Sequence, residues 1–296
     1  MSSLRSLTDD MDLYHRAFSI YHRIAERDKV LGRWVEKELR EVVNGWTAGV
    51  TGQEPLRVLS IGPGEGAIET KILQVLHGCR KPHPRIHTTV LEPVADQTDR
   101  FKQRVADPAA QLPDTTFDWR IEKLEDYQAA AANAAKFHFI SSVHSIYYVP
   151  DLEASLKDLY ARLEPGGLML IVLVAEDSGM GRVWKGFPGL QSMRDPYPTS
   201  AEIESACASQ GIPLGRQLTI NVRSNIGFCL PEPPNLSEEG SLLLDFFAHV
   251  GHFVRDAPPD LQRKVREFLG SDKCSERGAG GEVIFKGDWR AFIIEK

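Results

Sequence analysis

Short apolar runs alternate with helical segments between residues 56 and 175, and this pattern constrains the fold more than any other feature. The runs are rich in the β-branched and other apolar residues that favour buried strands. Strands are predicted over residues 56–61, 87–91, 117–121, 137–143 and 168–175, and helices over residues 67–76, 94–105 and 152–163. Strands that alternate with helices form a parallel sheet covered on both faces. The sequence therefore predicts an α/β fold.

Helical segments flank this region on both sides. Apolar residues at helical spacing over residues 10–45 predict one or two amphipathic helices before the first strand. Beyond the region, helices are predicted over residues 199–209, 242–253 and 259–269, and strands over 218–222, 283–285 and 291–294. We expect three segments: an N-terminal helical cap (1–50), an α/β core (51–215) and a C-terminal part (216–296). The last part completes the sheet with an antiparallel pair and carries a helical insertion.

Composition narrows the function classes. The net charge of -6, with no basic stripe, argues against binding to nucleic acid. The four cysteines lie far apart without metal-ligand spacing, which predicts reduced thiols and no metal site. No apolar run is long enough to span a bilayer, and the first twelve residues have no apolar core of a secretory signal. We expect a cytoplasmic protein without membrane contact.

A glycine-rich string between the first strand and the first helix of the α/β region is the strongest chemical signal. It contains Gly62, Pro63, Gly64 and Gly66. Glycines allow the backbone to approach a ligand there, and the following helix N-terminus adds a favourable dipole. About 30 residues later, Glu92 ends the second strand, where a carboxylate accepts hydrogen bonds from ribose hydroxyls. The alternative is that Glu92 caps the following helix.

The same two features suit an NAD-dependent dehydrogenase, which is the competing enzyme class. Ala67 stands where the dinucleotide fingerprint has its last glycine, and a long helical segment precedes the first strand. The Leu-Glu-Pro-Gly-Gly turn at residues 163–167 also precedes an apolar strand, as in class I methyltransferases. These points favour a methyltransferase that uses S-adenosylmethionine (SAM).

The string at residues 142–149 ends the fourth strand at the edge where open α/β sheets bind ligands. Val143 is expected to face the cofactor, whereas His144, Tyr147 and Tyr148 are expected to face the substrate. The alternative for each tyrosine is a core position with a satisfied hydroxyl.

Over almost its whole length, the chain resembles the histamine N-methyltransferase family. The matching stretches are Arg5-Ser6-Leu7 with Tyr14 and Phe18, Leu59-Ser60-Ile61-Gly62, Glu92-Pro93 with Gln97, Tyr147-Tyr148-Val149, Ala257-Pro258-Pro259-Asp260-Leu261 and the final Ile294-Glu295. The resemblance implies a class I methyltransferase fold, a Rossmann-like seven-stranded sheet with a helical cap and a C-terminal lid over a small-molecule pocket.

The resemblance also implies site residues. Gly62 matches the family's glycine at the cofactor, with Pro63 and Gly64 in the same loop, and Glu92 matches its ribose carboxylate. Gln97, Leu124 and Val143 match further cofactor positions.

The substrate positions depart from the family. Arg27 stands where the family has a glutamate that meets histamine, with Glu26 one residue earlier. His144 replaces a glutamine, and Gly287, beside Asp288, replaces an asparagine. A cation at the glutamate's place repels an ammonium group, so one hypothesis is an imidazole substrate with a carboxylate, such as carnosine or histidine. The other is that Glu26 takes the family's role and histamine remains the substrate.

For an imidazole acceptor, the attacking nitrogen needs a free lone pair, so the other ring nitrogen carries the proton. His144 and Asp288 are the candidates for fixing that tautomer. Aromatic side chains that could hold the ring are Tyr14, Phe18, Tyr147, Tyr148 and Trp184. A third hypothesis is an inactive cofactor-binding protein that serves as an interaction module. We expect a monomer whose partner is a small-molecule methyl acceptor.

Overall fold

The computed structural model describes residues 4–46, 54–79, 83–130, 135–186 and 197–296. The segment at residues 47–54, whose glycines and threonines are typical of a linker, lies mostly outside the described residues. The chain divides into two compact units. The core unit comprises Leu31–Leu173, Ala201–Leu218 and Arg290–Lys296, and the accessory unit comprises Met1–Val30, Val174–Ser200 and Thr219–Trp289.

The strands and helices alternate as the sequence predicts. The strands are β1 (Leu56–Ile61), β2 (Ile86–Leu91), β3 (Thr115–Arg120), β4 (Phe137–Val143), β5 (Leu163–Val174), β6 (Arg216–Ile220), β7 (Arg223–Asn225), β8 (Ser275–Arg277), β9 (Val283–Lys286) and β10 (Trp289–Glu295). The helices are α1 (Met11–Ile24), α2 (Arg27–Trp34), α3 (Arg40–Asn44), α4 (Ala67–Gly78), α5 (Ala95–Ala106), α6 (Leu124–Ala129), α7 (Leu152–Arg162), α8 (Gly179–Gly186), α9 (Ser200–Ser209), α10 (Glu238–Ala248), α11 (Phe253–Asp256) and α12 (Pro259–Gly270). A π-helical segment, Val35–Leu39, joins α2 to α3.

A seven-stranded sheet in the order β3-β2-β1-β4-β5-β10-β6 confirms the predicted fold class. Strand β1 pairs in parallel with both β2 and β4, and β2–β3 and β4–β5 are parallel as well. The Gly166 N–H donates to Lys296 O at 2.6 Å, so the start of β5 lies beside the end of β10 and these strands are antiparallel. Because the strand order reverses between β1 and β4, their carboxyl ends form the edge where such sheets bind ligands.

Burial explains why these segments form strands. Every residue of β1 except Arg57 is buried, and β4 is buried from Phe137 to Ser142. Helices α7 and α9 cover this side of the sheet with Leu156, Leu159 and Ile203, which belong to one apolar cluster with Met169 and Ile171 of β5. Strands covered on both faces are largely apolar, and the exceptions in β4 are the buried His138, Ser141 and Ser142.

The accessory unit has its own small antiparallel sheet, in the order β7-β9-β8. Helices α1 and α10 pack together through stacked rings, with Tyr21 and Phe246 centred 4.6 Å apart. Exposed ion pairs join Arg16 to Glu238 and Arg23 to Glu239 on the same pair of helices.

Several predicted boundaries were wrong. The run at 283–285 forms β9 of the small sheet, because it pairs with β7 and β8, and only β6 and β10 complete the large sheet. The helix predicted over 242–253 ends at Ala248, where His249 takes a left-handed conformation with φ 56°. Strand β5 begins at Leu163, before the glycines of the predicted turn. Helix α6 was missed.

No helix among the described residues combines the length and the apolar character that crossing a membrane requires.

Candidate functional site

The cofactor loop, defined as Gly62–Gly66, leaves the end of β1 with a conformation that requires glycine. Gly62 has φ 57°, and a Cβ built on it would lie 2.6 Å from Cβ of Ser145. Gly66 has φ 73°, and its Cβ would overlap the Phe101 ring at 1.9 Å. The Gly62 N–H donates to Leu91 O at 2.8 Å, which ties the loop to β2. The loop is thus a fixed turn without side chains at the points of close approach.

Glu92 lies beside this loop, at the end of β2. Its side chain is buried, and its Oε2 accepts a hydrogen bond from the Gly64 N–H at 3.0 Å. Its Oε1 accepts from the Val94 N–H, also at 3.0 Å, just before α5 begins at Ala95. The carboxylate therefore has a local structural role at the entry of the helix. Each oxygen retains a second acceptor site, which a pair of ribose hydroxyls can use.

The other predicted cofactor residues are found along the same edge. Gln97 Oε1 lies 3.6 Å from the Cβ position of Gly64, so this carboxamide borders the loop. Pro63 is half-buried within the loop, Val143 is the last residue of β4, and Leu124 begins α6 as a buried residue.

Two apolar side chains at this edge were missed by the sequence analysis. Val94 is 51% exposed, and Ile121, which follows the last residue of β3, is 54% exposed. They follow β2 and β3, which are adjacent strands of the sheet, so both lie at the edge where such sheets bind ligands. The sequence carried no signal for them, because Ile121 was predicted to end the third strand and Val94 to begin the following helix.

The turn after β4 carries the residues predicted to face the substrate. His144 is half-buried with φ 55°, and its N–H donates to Val172 O at 2.8 Å. Ser145 fixes the turn because its hydroxyl donates to Ile61 O at 2.6 Å. The rings of Tyr147 and Tyr148 are centred 4.6 Å apart, edge to face, and Tyr148 is 61% exposed. Tyr147 instead packs, half-buried, against the core cluster.

A buried carboxyl group lies next to the cofactor loop. Glu69, on the first turn of α4, is 4% exposed, and both of its oxygens accept from Ser141 Oγ at 3.0 Å. Burial raises the pKa of Glu69 to about 7, against the smaller lowering effect of the Ser141 and Ser60 hydroxyls. The helical pattern of α4 gave no sign of this burial.

In the accessory unit, aromatic rings from separate segments converge on His249. Tyr14 stacks on Phe18 with ring centres 5.9 Å apart, and both belong to α1. The His249 ring centre lies 6.2 Å from both Tyr14 and Trp184, and 4.8 Å from Tyr197. Three of the predicted aromatic residues are thus brought together here. His249 and Tyr197 were not predicted, because residues so far apart in sequence give no shared pattern.

The break between α1 and α2 separates Glu26 from Arg27. Glu26 has φ 45°, its side chain is 53% exposed, and its Oε1 accepts from Lys29 Nζ at 2.7 Å. The Arg27 side chain is only 20% exposed and contacts Asp28 Oδ1 at 3.3 Å. Burial raises the pKa of Tyr21 to about 12, whereas the neighbouring Trp289 and Arg27 act to lower it. Arg27 is therefore the inward residue, beside a buried phenol.

Gly287 and Asp288 lie in the same part of the accessory unit. A Cβ built on Gly287 would lie 3.3 Å from the Tyr21 hydroxyl, so the absence of a side chain leaves room there. Asp288 Oδ1 accepts from the Val222 N–H at 2.9 Å and pairs with the Arg223 guanidinium. This carboxylate is thus already engaged by the main chain and by a cation.

Among the described residues, no cluster of three or more His, Cys, Asp or Glu side chains is arranged to hold a metal ion.

Comparison with known proteins identifies the class of enzyme. The family model of the methyltransferase domain matches residues 12–211, more than half of the chain. The chain belongs to the methyltransferase-domain family. The dehydrogenase alternative is wrong, and the fixed glycine loop beside the Glu92 carboxylate fits SAM, the cofactor of this enzyme.

Relatives match along the full length of the chain. Histamine N-methyltransferase A of Xenopus laevis is 28% identical over 99% of both chains. Histamine N-methyltransferase of Danio rerio is 26% identical over 98% of both, and that of Cavia porcellus is 28% identical over 99% of both. The protein is thus a SAM-dependent N-methyltransferase that is similar over its full length to histamine N-methyltransferases.

Solved structures agree with the fold. A loganic acid methyltransferase with SAH superposes with a TM-score of 0.57 at 9% identity, over 93% of this chain and 96% of that one. The YcgJ protein of Bacillus subtilis gives a TM-score of 0.50 at 12% identity, over 87% of this chain and 97% of that one. At such low identity, these similarities support the class I methyltransferase fold alone.

Proposed function

We propose that the methyl acceptor is a small molecule that carries both an imidazole ring and a carboxylate, and that a ring nitrogen receives the methyl group. The observation that carries this proposal is the placement of Arg27, whose guanidinium is mostly buried while Glu26 is turned to solvent and paired with Lys29. A guanidinium binds a carboxylate through two parallel hydrogen bonds and repels an ammonium group.

On the cofactor side, residues of the core unit are proposed to bind and orient SAM. The Glu92 carboxylate accepts from ribose hydroxyls, Gly62 and Gly64 present main-chain groups, and Gln97 borders the loop. Val94 and Ile121 supply apolar surface for a flat base, and Leu124, whose side chain is buried, contributes main-chain atoms. When bound, SAM supplies a methyl group on a sulfonium, so the methyl–sulfur bond breaks as the methyl–nitrogen bond forms and the electron pair stays on sulfur.

The protein's main contribution to the reaction is to hold the acceptor nitrogen in line with the methyl group and to exclude water. In the accessory unit, the rings of Tyr14, Phe18 and Trp184 offer faces for a flat ring. In the core unit, the candidates are Tyr147 and Tyr148, whose rings meet edge to face. His144 is proposed to accept a hydrogen bond from the N–H of the ring nitrogen that is not methylated, which keeps the proton there and leaves the attacking lone pair free. Asp288 is the weaker candidate for this role, because Val222 and Arg223 already engage its carboxylate.

Histamine is the alternative acceptor, since the relatives named above are histamine N-methyltransferases. It requires an anion for the ammonium group, and Glu26 was the predicted residue. The exposure of Glu26 and its pairing with Lys29 weigh against that role.

The test is methyl transfer from isotopically labelled SAM to histamine, histidine and carnosine. We expect the carboxylate-bearing acceptors to be preferred, and Arg27→Ala to raise their KM by roughly 10- to 100-fold, the scale of a charge-assisted hydrogen-bonded pair. Arg23→Ala, which removes an exposed arginine of α1 paired with Glu239, is the matched control. Strong activity on histamine that survives Arg27→Ala and is lost in Glu26→Ala would overturn the proposal.

We further propose a cytoplasmic monomer that contacts neither nucleic acid nor membrane. The four cysteines are free thiols, three of them buried, which suits a reducing compartment. Light scattering of the purified protein tests the oligomeric state, and a dimer would refute that part.

A further inference from the structure

Glu69 lies directly behind the cofactor loop. Its carboxylate accepts from Ser141 of β4, and the Ser60 hydroxyl of β1 is its second partner. Ser60 and Ser141 are register partners on these two adjacent parallel strands. The buried carboxyl group thus bridges the two central strands, two residues before β1 gives way to Gly62, and none of the roles assigned above uses it.

The charged groups on the elements around α4 are engaged elsewhere. Lys71 of α4 pairs with Glu36, and Arg100 of α5 pairs with Glu65 and Asp96. The remaining titratable side chains lie on the same elements. Helix α4 itself carries His77, and the helical segments before β1 carry Lys37, Glu38, Arg40 and Glu41. Helix α5 carries Arg104 and the ion pair of Asp99 with Lys102, and the strands β1 and β4 carry Arg57 and His138. Within the described residues, no charged side chain contributes to the electrostatics of Glu69, which has only hydroxyl partners.

Burial without a counter-cation explains why the pKa of Glu69 is raised to about 7. The carboxyl group therefore changes its charge within the range in which an enzyme of this kind works. When ionised, it places a negative charge in a medium of low dielectric constant, where such a charge acts over a longer distance than in water.

The two forms of the cofactor differ in charge at sulfur: SAM is a sulfonium cation, and the demethylated product is a neutral thioether. We propose that Glu69 is a positioning residue whose negative charge behind the loop favours binding of the sulfonium over the thioether product. The inference rests on SAM as the cofactor and does not depend on the identity of the acceptor. It gives the enzyme a way to release product and rebind SAM.

The size of the effect follows from Coulomb's law. Ser60 lies two residues from Gly62, roughly 7 Å along an extended chain. Two unit charges on the order of 10 Å apart, at an effective dielectric constant of about 20, change a dissociation constant by roughly tenfold. By linkage, SAM binding changes the acid dissociation constant of Glu69 by the same factor, so its pKa is lowered by about one unit.

The test is calorimetric titration of the full chain with SAM and with the thioether product, without any acceptor, between about pH 6 and 8.5. In the wild type, the ratio of the product Kd to the SAM Kd should rise by roughly five- to tenfold over this range, relative to the ratio in Glu69→Gln. The comparison between variants cancels the titration of the cofactors' own amino groups. Glu36→Gln, a carboxylate-to-amide change on a segment packed against α4, should behave as the wild type does.

A purely structural role would weaken both cofactor forms equally and leave the pH dependence of the ratio unchanged. Identical pH profiles in the wild type and Glu69→Gln would therefore overturn the proposal, as would loss of the profile in Glu36→Gln. If Glu69→Gln does not fold, Ser141→Ala decides the matter. Removing a hydroxyl that stabilises the anion should move the midpoint of the profile to higher pH, and an unchanged midpoint would refute the role of Glu69.

Discussion

Replacing Glu92 by glutamine tests how far cofactor binding depends on one carboxylate. In the folded chain, Oε1 accepts from the Val94 N–H and Oε2 from the Gly64 N–H, each at 3.0 Å. A carboxamide offers one oxygen, so its NH₂ group must face one of the two N–H donors. The variant loses one hydrogen bond to a charged acceptor, which stabilises by about 2 kcal/mol, or roughly 30-fold in a binding constant.

Calorimetry should therefore show SAM affinity roughly 30-fold lower in Glu92→Gln, because the loop and the ribose depend on the same group. The free energy of unfolding, from urea denaturation, should fall by about 2 kcal/mol or less. Glu54→Gln is the matched control, since Glu54 is 79% exposed and precedes β1 at the opposite end of the strand. Unchanged SAM affinity in a folded Glu92→Gln protein would refute the assignment of Glu92 as the ribose anchor.

Two further changes test the loop and the accessory unit. Gly62→Val should abolish SAM binding in calorimetry but keep a cooperative unfolding transition. The reason is that the valine Cβ would lie 2.6 Å from Cβ of Ser145, at a position with a left-handed conformation. Normal methylation by this variant would show that SAM does not bind at this loop. Burial raises the pKa of Asp245 to about 7, above its unfolded value, so its contribution to stability is complete below pH 3.8 and is lost as pH rises through 7. Asp245→Asn should remove this decline in the free energy of unfolding, which amounts to at most about 4 kcal/mol because one pKa unit corresponds to about 1.4 kcal/mol. Urea unfolding curves at low and high pH measure the decline, and the same decline in both proteins would contradict the prediction.

The sequence predicted the α/β core because the period of its apolar residues is dictated by burial. A strand such as β5, which is covered on both faces, is a continuous apolar run from Leu168 to Val174, and the loop after β1 requires glycine at Gly62. For the same reason, Glu92 could be predicted as a cofactor residue, since it follows the end of a predicted strand at a fixed topological position, whereas Gln97 was predicted only from the family resemblance.

The remaining features depend on tertiary contacts that leave no local pattern. Strand β9 has the same apolar character as a strand of the large sheet, and only its pairing with β7 and β8 separates it. The break at Glu26 has no glycine or proline to mark it, so helical periodicity could not decide whether Glu26 or Arg27 turns inward. Glu69 has the side chain of a surface residue, and its burial follows from the two serines that receive it.

The central claim, that Arg27 pairs with a carboxylate of the acceptor, is tested most directly by reversing this one charge. The measurement is kcat/KM for carnosine and for histamine, in the wild type and in Arg27→Glu. We predict that the wild type prefers carnosine and that Arg27→Glu reverses the preference, changing the ratio by at least about tenfold, the scale of one charge-assisted pair. The same order of preference in both proteins would contradict the account.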